Sequence, residues 1–224
     1  MRKSFFFNIK ETLHFTQNNN KFIKGNIEKI YTNLVSKYNP KPYKTDKLYY
    51  FGEKNYNTIP SIAHSIRRVN DPTQLKLIWI NTSSNLKKIE NNEYSLRNAL
   101  QFEKKSNNLF NEYIRLMPEN ILYLGLNERN MNKYEKDLIK QNNIETISIQ
   151  GISEHYKQTT DRISNFIDST PVHISVNFNI LETISTNSLV NIFNCYELHE
   201  NKIGMDIIGK ETYSQDKNLM NKII

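Results

Sequence analysis

Cysteine is nearly absent: Cys195 is alone in 224 residues. A single thiol excludes an intrachain disulfide and any zinc site built on cysteine clusters, and it fits a reducing compartment. Long apolar runs are missing too. No stretch approaches the ~18 residues that a membrane-spanning helix needs. The opening MRKSFFFNIKETLHF has a basic tip, but its apolar run is too short for a secretory leader. These absences predict a cytoplasmic chain that does not insert into membranes. Glycine and proline number only six each, with no Pro/Gly/Ser linker, repeat or low-complexity tract, so the expectation is one domain over 1–224. The Asn-rich segment at 16–21 reads as a loop.

The hydrophobic share of 38% is modest, but 13 tyrosines and 11 phenylalanines supply large buried areas. Thirty Lys+Arg against 23 Asp+Glu leave a net charge of +7. A nucleic-acid binder gathers its cations on one stripe; here Lys-Lys and Arg-Arg pairs, as in SIRRVNDP and NLKKIENN, are scattered along the chain. Solvated surface explains them, and nucleic acid is the weaker expectation.

Short apolar runs alternate with stretches of helical period, the pattern of βαβ units. Strands are predicted at 4–9, 48–51, 75–80, 121–126, 145–149, 172–176 and 203–208. Helices are predicted at 26–37, 62–69, 94–117, 133–141, 154–167 and 188–199. The fold class that follows is α/β: a three-layer α/β/α sandwich around a central, mostly parallel sheet. In such sheets ligands bind beyond the carboxyl ends of the strands. Those ends carry Asn81, Ser83, Ser84 and Asn85, then Asn127, then Asn177 and Asn179, then Gly209. Neutral amides and hydroxyls dominate, and carboxylates are almost missing. Such amides ordinarily close turns or cap helices.

In order and spacing these segments resemble the ureohydrolases, the manganese enzymes that include arginase, agmatinase and formiminoglutamase. SIAHS (61–65) resembles their Gly-Gly-Asp-His-Ser turn, IWINTSSN (78–85) their strand ending Asp-Ala-His-x-Asp, and ISVNFNILET (174–183) their Ser-Phe-Asp-x-Asp-x-x-Asp-Pro. PENILYLGLNERN and KIGMDIIGKE resemble the intervening strand and a later one. The resemblance implies an arginase-like fold and identifies vestigial metal positions at His64, Asn81, Ser83, Asn85, Asn177 and Asn179. Of these only His64 keeps the family's residue; Ala63 stands where an aspartate precedes it, and Glu182 where another aspartate is usual. The guanidinium-binding carboxylate falls at Gly209, and no histidine occurs between His64 and His155 to serve as a proton shuttle.

Asparagine keeps the shape of aspartate and loses its charge. Neutral amides do not offset the desolvation of paired divalent cations, so the expectation is a pseudoenzyme without metal, cofactor or catalytic residue. Its role would be a structural subunit that binds a protein partner or itself. The chain is expected to be shortened at its C-terminal end relative to the family. Abundant Asn, Lys, Ile and Tyr mark an A+T-rich genome, with a large DNA virus as one source. The alternative is a rebuilt metal-independent hydrolase using Cys195 with His199 or the Asn/Ser cluster. His64, with His155, His173 or His199, is a weaker metal candidate than a structural histidine, and Asp206 inside an apolar strand needs a hydrogen-bonding partner.

Overall fold

The computed structural model describes residues 4–8, 32, 47–52, 58–69, 71–87, 96–102, 115–209 and 217–224. Among the described residues seven strands form one sheet, and every pairing in it is parallel. They are β1 (Ser4–Asn8), β2 (Lys47–Gly52), β3 (Lys76–Ile80), β4 (Ile121–Leu126), β5 (Glu145–Ser148), β6 (Val172–Asn177) and β7 (Lys202–Ile208). Every predicted strand is present, with ends displaced by a residue or so. The helices are α1 (Thr58–Arg68), α2 (Leu96–Ala99), α3 (Lys133–Gln141), α4 (Ile149–Glu154), α5 (Tyr156–Ile167), α6 (Thr186–Phe193), α7 (Tyr196–Asn201) and α8 (Lys217–Ile223).

The spatial order is β1-β2-β7-β6-β3-β4-β5. From β3 the chain steps outward to β4 and β5, then returns to lay β6 on the other side of β3 and continues through β7 towards β2. Parallel crossovers share one hand, so this reversal sends helices to opposite faces. Leu77, Trp79, Ile121 and Tyr123 point to the face covered by α1, α2 and α3. Ile78, Ile80, Leu122, Leu124, Ile174, Val176, Met205 and Ile207 point to the face covered by α4 to α8. Strands covered on both faces read as continuous apolar runs, and β4 is buried at all six positions.

Three helix expectations are corrected. The predicted helix over 94–117 is broken: α2 ends at Ala99, Gln101 takes a positive φ of 54°, and Leu116 N–H donates to Ala99 O at 3.0 Å. In a continuous helix those residues would lie about 25 Å apart. The predicted helix over 154–167 begins at Tyr156, because the segment before it forms the separate α4, capped by the Ser148 hydroxyl. The predicted helix over 188–199 is two helices, interrupted at Asn194 and Cys195. The helix expected over 26–37 and the loop at 16–21 lie outside the described residues, apart from Thr32, which is helical. Among the described residues no helix is long and apolar enough to cross a membrane.

Candidate functional site

The point where the chain reverses direction lies between β3 and β6, and the crevice of a doubly wound sheet opens beyond such a point. Asn81 follows β3 directly and Asn177 ends β6, on neighbouring strands paired through Ile80 and Val176. Asn177 is level with Ile208 of β7, and Gly209 comes next. The strand pairing therefore assembles Asn81, Asn177, Asn179 and Gly209 along one rim.

Three amide oxygens at the strand ends have a backbone task. The Asn81 side chain accepts from Ser83 N–H at 3.1 Å, Asn127 from Arg129 N–H at 3.1 Å, and Asn177 from Asn179 N–H at 3.0 Å. All three are i to i+2 turns, the local structure that Asn and Asp share. Gly209 has φ +127°, and a Cβ built there would lie 3.3 Å from the side-chain oxygens of both Asn177 and Asn179. A side chain at 209 would be crowded by these two amides and by the Phe178 backbone nitrogen at 3.2 Å, and the positive φ adds strain.

The loop after β3 is held from below. Trp79 Nε1–H donates to Ser83 O at 2.9 Å and Tyr123 OH to Ser84 O at 2.8 Å. The Ser84 hydroxyl donates to Glu135 Oε1 at 2.5 Å, while Glu135 closes the capping box of α3 with Asn132. Burial, reinforced by the Glu135 charge, pushes the Tyr123 phenol up. Asn85 adopts φ 55°, a left-handed conformation that Asn tolerates well.

His64 stands on a helix, not at a strand end. SIAHS lies inside α1, and His64 is its seventh residue, about 9 Å along the helix from its start. Its Nδ1 is 3.0 Å from the Tyr50 hydroxyl, and Tyr50 pairs with Asp206 well inside the sheet. Asp206 proves to be the centre of a second, fully buried group. His173 Nε2 lies 2.7 Å from Asp206 Oδ2, Ser65 Oγ lies 2.8 Å from His173 Nδ1, and the Ser61 hydroxyl donates to Asp206 Oδ1. Ser61, Ser65, His173 and Asp206 are at most 3% exposed. Burial holds the Asp206 carboxyl above the usual range, against the opposing pull of His173 and then Ser61. This Ser-His-Asp chain is sealed from solvent, and its members satisfy one another's hydrogen bonds beneath α1.

Sequence reasoning asked for a partner to Asp206 and missed its identity, along with Ser61, Ser65, Tyr50 and Glu135. The alternation of His173 and Ser175 against Val172, Ile174 and Val176 was the available signal for the first of these. The Cys195–His199 pairing does not form. Cys195 Sγ is 3.3 Å from Ser164 Oγ and 3.4 Å from Glu197 Oε2, whereas the His199 ring contacts Lys47 Nζ at 3.4 Å.

The profile of the Arginase family matches residues 9–186, most of the chain. The protein belongs to the arginase family. Among solved structures, arginase from Entamoeba histolytica superposes with a TM-score of 0.76 at 11% identity, over 100% of this chain and 97% of that one. Bacillus cereus arginase gives 0.75 at 12%, over 100% and 98%, and formimidoylglutamase from Bacillus subtilis 0.72 at 10%, over 100% and 84%. No curated protein sequence matches. At these identities the structural likeness establishes the fold alone.

The family implies a pair of manganese ions at the strand ends, and the residues on this rim do not fit them. Divalent cations of that hardness require anionic oxygens or imidazoles, whereas the rim offers neutral amides, the hydroxyl of Ser83 and a glycine. Among the described residues no three His, Cys, Asp or Glu side chains are grouped to hold a metal ion.

Proposed function

We propose that this protein is a catalytically silent member of the arginase family, retained as a structural or scaffolding subunit that binds a protein partner or a second copy of itself. The observation that carries this reading is the chemistry of the rim at Gly209. The position of the family's substrate carboxylate bears no side chain, and the groups beside it are the neutral amides of Asn177 and Asn179. A ureohydrolase must hold a cationic substrate and generate hydroxide near neutral pH, which a bound metal achieves by lowering the pKa of its water. Neutral side chains do neither. The fold around them is intact, which is the pattern expected when the scaffold is kept for binding.

The test pairs metal analysis with assays. The purified protein, supplied with excess manganese, should retain well under one ion per chain and release no urea from arginine or agmatine. Two retained ions with urea release would end the reading. Affinity purification from the native source, followed by cross-linking, should return a stoichiometric partner or a homo-oligomer.

A further inference from the structure

A cavity of about 480 Å³ lies under the β4–α3–β5 crossover, at the outer edge of the sheet, beside the ends of β4 and β5 rather than those of β3, β6 and β7. That volume is typical of small-molecule sites. Leu126, Met131, Ile139 and Ile144 form its apolar part, all except Ile139 at most 9% exposed, while Asn143, Thr146 and Ser148 add polar surface. Its mouth is charged. Lys136 and Lys140 stand four residues apart in α3, a spacing that puts both on one face of the helix. Neither has an ion-pair partner among the described residues. Glu128 also lines the mouth, so two lysines against one carboxylate leave a single positive charge. The Ser148 oxygen accepts from Gly151 N–H at 3.1 Å, which leaves its O–H proton to donate.

We infer that this cavity binds a free amphipathic monoanion, an unbranched alkyl chain bearing one carboxylate. The chain lies on Leu126, Met131 and Ile144; the carboxylate meets Lys136, Lys140 and the Ser148 hydroxyl. The net charge of the mouth selects one negative charge over two, and Glu128 repels the second charge of a phosphate monoester. Burying alkyl surface contributes about 25 cal/mol per Å², so affinity should rise with chain length until the cavity is full.

The probe is decanoate, titrated below its micelle threshold into the full chain and followed by calorimetry and by backbone amide shifts. Saturable binding is expected, with shifts concentrated at Asn143, Thr146 and Ser148. Decanol and dodecylphosphate should bind at least tenfold more weakly. Lys136→Gln with Lys140→Gln replaces two exposed side chains and should weaken decanoate at least tenfold without lowering the melting temperature. No saturation, equal affinity of the double variant, or shifts centred on Asn81 and Asn177 would each overturn the proposal. Co-sedimentation with phosphatidylglycerol vesicles that the double variant abolishes would assign the lysines to a membrane surface and overturn it as well.

Discussion

Gly204 lies directly beneath His173: a Cβ on residue 204 would come within 2.7 Å of His173 Nδ1 and 2.7 Å of Ser65 Oγ. The two residues pair across β6 and β7, and the missing side chain is what lets the imidazole fit between the sheet and α1. Gly204→Ala must displace either the ring or the helix. A loss of about 1–3 kcal/mol is expected, the usual cost of overpacking a filled interior. Urea denaturation measures it, and an unchanged midpoint would show that the network yields freely.

Asp206 is buried with His173 and Ser61 as its partners, and removing one member of such a group leaves the others unsatisfied. Asp206→Ala should cost roughly 3–5 kcal/mol, and Asp206→Asn less, because an amide oxygen still accepts from Ser61. The pH dependence has a definite sign. A carboxyl whose folded pKa is raised contributes stability that is complete below the unfolded pKa and is lost as pH rises through the folded one. Wild-type stability should therefore carry a falling component above the ordinary carboxylate range. Asp206→Asn should lack it, which paired urea titrations at successive pH values will reveal.

Lys202 lies at the opposite end of the sheet from the rim, with its Nζ 3.3 Å from Ile223 O and 5.0 Å from the Tyr49 ring centroid. Desolvation and then the Lys47 charge bring its pKa down to about 7. The unfolded lysine binds more protons between that value and its ordinary one near 10.4, so stability should rise with pH through that window. Lys202→Met should flatten the slope. Equal slopes in the two proteins would refute the assignment.

On the rim, Asn81→Asp, Asn177→Asp and Asn179→Asp together would place three carboxylates on adjacent strand ends about 5 Å apart. Their repulsion should destabilise the metal-free protein by on the order of 1–3 kcal/mol at low salt. Millimolar manganese should recover part of that loss and have no effect on wild type. Differential scanning calorimetry decides it, and a triple variant as stable as wild type without metal would show that the rim tolerates charge.

Much of the fold is legible in residue order. Continuous apolar runs such as ILYLGL mark doubly covered strands, and the helix predicted over 133–141 has those bounds, with Asn132 and Glu135 closing its capping box. The split near Cys195 and the break after Ala99 were illegible, because helical periodicity continues through both and only packing interrupts it. Local pattern does not say how far a helix extends before a given residue: α1 begins at Thr58, so SIAHS lies inside the helix with His64 as its seventh residue.

By itself, the order of residues determined the alternation of elements and the chemistry at the strand ends. Aspartate-like positions hold amides whatever the chain does next, since charge is a property of the side chain. Only the tertiary structure decided which residues meet. β7 inserts between β2 and β6, and that pairing brings Tyr50, His173 and Asp206 together from distant parts of the chain. Strand order is set by the burial of whole faces and by crossover handedness, which no short stretch of sequence encodes.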